Sequence, residues 1–140
     1  MRLPIPEEKK FLFEMRLSMR WGDMDALGHI NNVSYFRFME SIRMDWLQSL
    51  GLDEKGSGAS PVILNTFCNF HQQLVYPGEL CLRLFAGQAA RTTFESWTTI
   101  ERVDQPGKIY ASGGATVVWV DWATNRAADL PIWVREIVSQ

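Results

Sequence analysis

The sequence predicts an α+β domain in which one long apolar helix lies against an antiparallel sheet. Three observations lead to this fold class. Residues 11–20 alternate apolar and polar side chains, which is typical of a half-buried strand. Residues 33–50 carry apolar side chains at helical spacing, and four strand-like runs with short connections follow them. Short connections favour antiparallel neighbours, so the predicted order is β-α-β-β-β-β.

Length, composition and charge favour one globular domain over residues 1–140. The 140 residues are 46% hydrophobic and 21% charged, far from the composition of a disordered chain. The formal net charge is -2 and no basic run is longer than Lys9-Lys10, so we expect no nucleic-acid partner. The first ten residues lack the apolar core of a signal peptide, and no stretch approaches the roughly 18 apolar residues of a membrane span. We therefore expect a cytoplasmic protein that does not contact membranes.

The predicted helix has chemical signals at both ends. At its start, Asn31 or Asn32 can accept a hydrogen bond from a free backbone N–H of the first turn. At its end, Gly51 follows Leu50 at the position where helix C-termini favour glycine. Apolar side chains occupy so much of the helix surface that it must be largely covered.

Four strand-like runs follow the helix, at about 61–75, 79–90, 93–104 and 107–121. Gly113 and Gly114 inside the last run predict a bulge or a close approach of the backbone. Pro131 to Val138 predict a short helix with proline near its start. One helix cannot cover both faces of such a sheet, which predicts a homo-oligomer.

The densest polar stretch, residues 20–32, lies between the first strand and the helix. It could be a connector only, in which Asp23 and Asp25 form turns, Gly28 takes a positive φ and the asparagines cap the helix. A metal site formed by Asp23, Asp25 and His29 is disfavoured, because the stretch offers no Cys and no second His at i+4. One cap and one turn do not require this many ionisable groups.

A carboxylate beside a helix N-terminus has a catalytic use. The backbone N–H groups near Asn32 and Val33 carry partial positive charge, so they can bind a carbonyl oxygen that gains negative charge. Asp25 opposite that carbonyl can attack its carbon or take a proton from an attacking water. No strong proton donor is evident nearby, which favours a leaving group that departs unaided. A thiol such as that of Cys has a pKa of only about 8.5, so thioesters are the favoured substrates.

A longer motif includes these residues. It reads Arg20-x-x-Asp23-x-Asp25-x-x-Gly28-His29-Ile30-Asn31-Asn32-x-x-Tyr35, with Glu40 and Arg43 later in the helix. The motif resembles the signature of the 4-hydroxybenzoyl-CoA thioesterase-like branch of the hotdog-fold superfamily. Two further segments are similar to the turn into the third strand and to the last strand of that family, Tyr76-Pro77-Gly78-Glu79 and Val117-Val118-Trp119-Val120-Asp121. The resemblance covers nearly the whole chain.

The resemblance implies a hotdog fold, in which a five-stranded antiparallel sheet wraps around the long helix. It also implies that protomers pair through their sheets, as a dimer or a tetramer, and that acyl-CoA binds at the subunit interface without a cofactor or a metal. It suggests Asp25 as the catalytic carboxylate, and His29 as a catalytic or a turn-stabilising residue. The residues expected to bind the substrate or its oxyanion are Asn31, Asn32, Val33, Tyr35, Arg91, Thr92 and Thr93.

The predicted function is that of an acyl-CoA thioesterase, which hydrolyses a thioester to a free acid and CoA. Asp25 is the predicted nucleophile or general base, and the helix N-terminus is the predicted oxyanion hole. Two alternatives stay open because a fold does not determine a function: a noncatalytic protein that binds acyl thioesters, and a hotdog dehydratase. His71, with Gln72 and Gln73, is interpreted as an exposed or hydrogen-bonded strand residue.

Overall fold

The computed structural model describes residues 2–51 and 58–139. Within those residues lie six strands, two α-helices and a 3-10 helix at Trp21–Asp23. The bounds are β1 Lys10–Ser18, α1 Asn32–Ser49, β2 Ala59–Phe70, β3 Glu79–Gly87, β4 Thr93–Arg102, β5 Ile109–Asp121, β6 Arg126–Ala127 and α2 Ile132–Val138. No helix in the described ranges is both long and apolar enough to cross a membrane.

The strands form one antiparallel sheet in the order β1-β3-β4-β5-β2, and the short β6 pairs with the end of β5. The helix α1 packs on one face of this sheet. It buries Phe38, Met39 and Ile42 in the same core cluster as Leu82 and Leu84 of β3. Five main strands and one long helix confirm the predicted α+β fold, and β6 is an addition that the sequence did not predict.

Two glycines in the middle of β5 allow a close approach on each face of the sheet, by the helix α1 at Gly113 and by the Phe67 ring at Gly114. A Cβ atom on Gly113 would lie 2.6 Å from Met39 Sδ, and one on Gly114 would lie 2.7 Å from the Phe67 ring. β5 pairs with β2 at both positions without a shift in register. The close approach predicted for this pair is therefore confirmed, whereas a bulge is wrong for these residues.

β2 ends earlier than predicted, at Phe70 rather than near residue 75. The carbonyl of Tyr110 accepts the N–H of His71 at 2.9 Å and the N–H of Gln72 at 3.1 Å, and the chain turns away from β5 after these two hydrogen bonds. The segment 71–78 then leaves the sheet. The other predicted bounds differ from the observed ones by up to three residues.

The segment before β1 crosses the face of the sheet that points away from α1. Leu3 and Asn69 of β2 exchange two hydrogen bonds of 2.9 Å, from Leu3 N to the side-chain Oδ1 and from Nδ2 to the Leu3 carbonyl. Lys9 Nζ donates to the carbonyl of Pro6 at 2.9 Å and lies 5.0 Å from the centre of the Phe85 ring. These contacts hold residues 2–9 on the sheet, an arrangement for which the sequence gives no local signal.

Candidate active site

A cleft of about 440 Å³ opens at the end of the sheet where α1 begins. This volume is within the range of small-molecule sites. One wall comes from the loop between β1 and α1 and from the first turn of α1, and the other comes from the segment after β2. The lining residues are Asp25, Leu27, His29, Ile30, Asn32, Tyr35, Phe70, His71, Gln72 and Gln73. Four predicted site residues, Asp25, His29, Asn32 and Tyr35, are therefore brought together.

Asp23 anchors the loop between β1 and α1. It is only 7% exposed; its Oδ2 accepts the N–H of Arg20 at 2.8 Å, and its Oδ1 pairs with the guanidinium of Arg37 on α1. Its carbonyl oxygen accepts the N–H of Asn31 at 2.8 Å and the hydroxyl of Ser34 at 3.2 Å. One carboxylate oxygen of Asp23 thus holds the loop against the helix, and the other fixes the start of the loop itself.

Asp25 lies two residues further, at the base of a tight turn. Its N–H donates to the carbonyl of His29 at 3.0 Å, and its own carbonyl accepts the N–H of Gly28 at 3.1 Å. Gly28 has a φ of 83°, a conformation that glycine adopts without steric cost. The exposed Asp25 carboxylate accepts the N–H of Leu27 at 2.9 Å through Oδ1. Its Oδ2 accepts no hydrogen bond from the described residues, so it is available to a ligand in the cleft.

The first turn of α1 offers a free backbone donor at Asn32. Asn31 caps the helix: its Oδ1 accepts the N–H of Val33 at 2.9 Å, and its carbonyl accepts the N–H of Ser34 at 2.9 Å. The Asn32 N–H has no hydrogen-bond partner in the part of the chain that the structure describes, and Asn32 lines the cleft. The cap occupies the Val33 donor, so Asn32 is the donor that remains for a ligand.

Two ring side chains, His29 and Tyr35, complete this wall. His29 is half-buried and lines the cleft. Tyr35 is 2% exposed; its hydroxyl accepts the N–H of Leu74 at 3.1 Å, and its ring meets that of Phe70 edge-on at 5.0 Å. Burial raises the pKa of the Tyr35 phenol, so the group stays protonated at neutral pH. Tyr35 thereby ties the opposite wall of the cleft to the helix.

The opposite wall consists of Phe70 and the polar triplet 71–73, which the sequence did not assign to the site. His71 lies just beyond β2, so it is not a strand residue, but it is hydrogen-bonded as expected: its Nε2 is 2.8 Å from the hydroxyl of Ser112. Burial and, to a smaller extent, the charge of Arg2 lower the pKa of His71. In the sequence, the polar His-Gln-Gln triplet directly after an apolar strand is the pattern that could have predicted this wall.

Arg91, Thr92 and Thr93 lie at the other end of the sheet. Thr93 pairs with Val118 of β5, whereas the last residue of β2, beside the cleft, pairs with Ala111. These two levels are seven residues apart on β5, which corresponds to about 24 Å at roughly 3.4 Å per residue. Within one chain, these three predicted substrate-binding residues are not part of the cleft.

The cleft brings together groups that suit reactions at a carbonyl carbon. Among the residues that the structure describes, nothing donates to Asp25 Oδ2, and nothing accepts the Asn32 N–H at the positive end of the helix. Such a pair can supply a base or a nucleophile to the carbon while stabilising charge on the oxygen. Among the described residues, no three His, Cys, Asp or Glu side chains lie close enough together to hold a metal ion.

Residues 19–138 match the family model of the thioesterase-like superfamily. The match extends from the end of the first strand to the C-terminal helix, and the chain belongs to this superfamily. Its fold is the hotdog fold that the sequence motif implied. The narrower 4-hydroxybenzoyl-CoA thioesterase-like branch stays a prediction.

Individual proteins are similar to the chain over most or part of its length. The PA2801 protein of Pseudomonas aeruginosa, a proposed thioesterase, is 31% identical with a TM-score of 0.85, over 91% of this chain and 98% of that one. A thioesterase from Thermus thermophilus, complexed with coenzyme A and Zn, has a TM-score of 0.77 at 23% identity, over 91% and 92% of the two chains. The uncharacterised protein YsmA of Bacillus subtilis (strain 168) is 28% identical over 79 residues, 56% of this chain and 54% of YsmA. The match therefore spans about half the length of that curated relative.

Proposed function

We propose that this protein is an acyl-CoA thioesterase of the 4-hydroxybenzoyl-CoA thioesterase-like branch, which hydrolyses a thioester to a free acid and CoA. The observation that carries the proposal is the presence, in one cleft, of the exposed Asp25 carboxylate and the free Asn32 N–H. Membership of the thioesterase-like superfamily supports a thioesterase in general. A protein of the same fold that was solved with coenzyme A supports CoA as the thiol.

In this proposal the carbonyl oxygen of the thioester accepts a hydrogen bond from the Asn32 N–H. The partial positive charge at the start of α1 stabilises the negative charge that develops on this oxygen during attack. The Val33 N–H is already bound to the cap, so the Asn32 N–H is the backbone donor in this turn that strengthens its bond as the charge grows. One donor of this kind contributes roughly 10²–10³ to the rate in well-studied acyl-transfer enzymes.

Asp25 provides the attack by one of two routes. As a nucleophile, its oxygen bonds to the carbonyl carbon while the C–S bond breaks, which gives an acyl anhydride of Asp25 and a thiolate; water then cleaves the anhydride to the free acid. As a general base, Asp25 takes a proton from a water whose oxygen attacks the carbon, and the C–S bond breaks to release acid and thiolate. In both routes the thiolate departs without a proton donor. His29, on the same wall, either stabilises the turn at Asp25 or assists proton transfer.

A panel of acyl-CoAs that differ in chain length and aromatic character tests this function by the release of free thiol. We expect thiol and free acid in equal amounts for at least one member of the panel. Binding without thiol release would favour a noncatalytic acyl-thioester-binding protein. Hydration of an enoyl-CoA without thiol release would favour a dehydratase.

We also propose that the protein is a homo-oligomer in which two chains pair along β2. This strand is last in the order of the sheet, so among the described residues no other strand pairs with the backbone N–H and C=O groups along one of its edges, over residues 60–70. Beside that edge, Ile63 is 39% exposed and Leu64 is 61% exposed. A second copy that pairs antiparallel to β2 would cover the edge and both side chains.

Such a pair would complete the substrate-binding set. A partner related by a two-fold axis runs in the opposite direction, so its Arg91, Thr92 and Thr93 come level with this chain's cleft. They would stand two strands from the partner's β2, about 10 Å away at roughly 4.8 Å per strand. Light scattering at micromolar concentration should give a dimer or a tetramer, and Leu64→Lys should weaken the assembly. A wild-type monomer at that concentration would contradict this arrangement.

A further inference from the structure

A second cavity lies on the face of the sheet opposite α1. We call it the outer groove; it measures about 510 Å³ and runs between the segment before β1 and the strands β4 and β5. Thr99 and Ser112 line it from the sheet, and Arg2, Glu7 and Lys9 line it from the N-terminal segment. The outer groove therefore combines two hydroxyl groups in its floor with three charged side chains in its wall, and apolar residues complete the lining on both sides.

The charged wall is held in place by hydrogen bonds. Leu3 exchanges two of them with the side chain of Asn69, which is itself 8% exposed and 3.5 Å from the hydroxyl of Ser112. Further along the segment, the ammonium of Lys9 donates to a backbone carbonyl three residues before it. This attachment fixes the backbone that carries Arg2 and Lys9, so both cations stay beside the groove.

The outer groove has an excess of positive charge. Arg2 and Lys9 contribute two cations, against the single carboxylate of Glu7. Across residues 2–51 and 58–139, neither Arg2 nor Lys9 forms a salt bridge. The positive charge of Arg2 helps, together with burial, to lower the pKa of His71, which lies at the inner end of the groove. Cations without carboxylate partners attract an anionic ligand and bind phosphate oxygens well.

The outer groove and the active-site cleft meet at His71 and Gln72, which line both cavities. The two spaces adjoin around the end of β2, with the Asp25 carboxylate in one and Arg2 in the other. His71 is fixed at this junction by its hydrogen bond with Ser112, and the exposed Gln72 carries an amide that can both donate and accept. A long ligand that reacts at Asp25 can therefore extend over the junction into the groove.

We propose, on the basis of the thioesterase function above, that the outer groove binds the phosphate-bearing end of a CoA thioester. Such a ligand is neutral along its pantetheine arm, which contains two amides, and anionic at its nucleotide end. The arm crosses the junction at His71 and Gln72, whose polar groups match its amides. Arg2 and Lys9 pair with the phosphate oxygens. The site thereby selects thioesters of CoA over thioesters of a thiol that lacks phosphate.

The test uses one acyl group on two thiols, CoA and pantetheine, because pantetheine has no phosphate. The measured quantity is the ratio of kcat/KM for the CoA thioester to kcat/KM for the pantetheine thioester. In the double variant Arg2→Gln/Lys9→Gln we expect this ratio to fall about tenfold, through a higher KM for the CoA thioester. The KM for the CoA thioester should also depend less on salt in this variant than in the wild type.

Lys9 and Lys10 provide a matched pair of single variants. Both substitutions with Gln remove one positive charge at adjacent positions, but Lys10 Nζ points to α2, where it lies 3.3 Å from the Ser139 carbonyl. We expect Lys9→Gln to lower the ratio about threefold and Lys10→Gln to leave it unchanged. An unchanged ratio in the double variant, or an equal loss with both thioesters, would overturn the proposal.

Calorimetric titration with free coenzyme A separates this proposal from the thioesterase function, since it requires no turnover. If the wild type hydrolyses neither thioester but Arg2→Gln/Lys9→Gln still weakens CoA binding relative to Lys10→Gln, the groove assignment holds and the thioesterase function fails. If the wild type hydrolyses acyl-CoA but the double variant binds CoA as tightly as the wild type, the thioesterase function holds and the groove assignment fails.

Discussion

The two halves of the β1–α1 loop contain acids only two residues apart, in opposite environments. Asp23 is 7% exposed, and its two oxygens are taken up by the N–H of Arg20 and the guanidinium of Arg37. Asp25 is exposed; one of its oxygens accepts the N–H of Leu27, and the other accepts no hydrogen bond from residues 2–51 and 58–139. The comparison shows how one short motif separates two tasks. The first acid fixes the loop to the helix, and the loop then leaves the second acid exposed at the cleft.

The largest expected effect concerns the leaving group, because the Asp25 half of the loop offers no strong acid. With the same acyl group, replacing the CoA thioester by the matched oxygen ester should lower kcat by roughly 10²–10⁴-fold, the range that a missing general acid accounts for. The oxygen ester keeps the pantetheine arm and the phosphates of CoA, with oxygen in place of the sulfur atom, so KM should change little. The measurement determines kcat and KM separately for both substrates. Equal kcat values would indicate a hidden general acid, and His29 would be the first residue to test.

The next effect concerns the structural half of the loop. Asp23→Asn removes the charge that pairs with Arg37 and disturbs the hydrogen bond to the Arg20 N–H, so we expect the free energy of unfolding to fall by about 2 kcal/mol. Asp25→Asn, an exposed change in the same loop, should alter it by less than about 0.5 kcal/mol. Urea denaturation of both variants measures the difference. Equal changes in the free energy of unfolding would contradict the different roles assigned to the two acids.

A smaller effect is expected at the helix cap, which decides which backbone donor is free. Asn31→Ala removes the acceptor of the Val33 N–H and should lower the free energy of unfolding by about 1 kcal/mol. Asn32→Ala serves as the control for stability, since the hydrogen bond of the cap comes from Asn31 and not from Asn32. A larger loss of stability for Asn32→Ala than for Asn31→Ala would contradict the assignment of the cap.

The smallest effect is a dependence of stability on pH from the opposite wall of the cleft. Burial and the charge of Arg2 lower the pKa of His71 below its ordinary value of about 6.5, so the folded chain binds this proton less readily than the unfolded chain. The stability that neutral His71 contributes is complete above that value and decreases as the pH falls towards the folded-state pKa. The difference in unfolding free energy between the wild type and His71→Gln should therefore shrink between pH 7.5 and pH 5. A difference that grows on acidification would reverse the sign that we assign.

Local patterns in the sequence were sufficient to predict most of the fold and one wall of the cleft. Alternation over residues 11–20 predicts β1, and helical spacing with signals at Asn31 and Gly51 predicts α1; Gly51 takes the expected left-handed conformation, with a φ of 73°. The cleft residues Asp25 to Tyr35 follow one another on a loop and the first helical turn, so their proximity needs no long-range information.

The other wall depends on strand order, which no local pattern reveals. β2 follows α1 in the chain but lies at the far edge of the sheet beside β5, and this order brings residues 70–73 to the start of the helix. The direction of β4 likewise places its first residue, Thr93, at the end of the sheet away from the cleft. The hydrogen bonds between Leu3 and Asn69 join residues 66 positions apart, so local sequence patterns cannot predict them either.

Thiol release from one acyl-CoA by Asp25→Asn and Asp23→Asn, measured side by side, is the most direct test of the central claim that the free acid performs the chemistry. Circular dichroism and denaturation first establish the folded fraction of each preparation. We predict that Asp25→Asn keeps the fold and loses turnover by roughly 10²–10⁴-fold. Asp23→Asn, corrected for its folded fraction, should retain most of its turnover. Near-wild-type turnover in folded Asp25→Asn would contradict the claim.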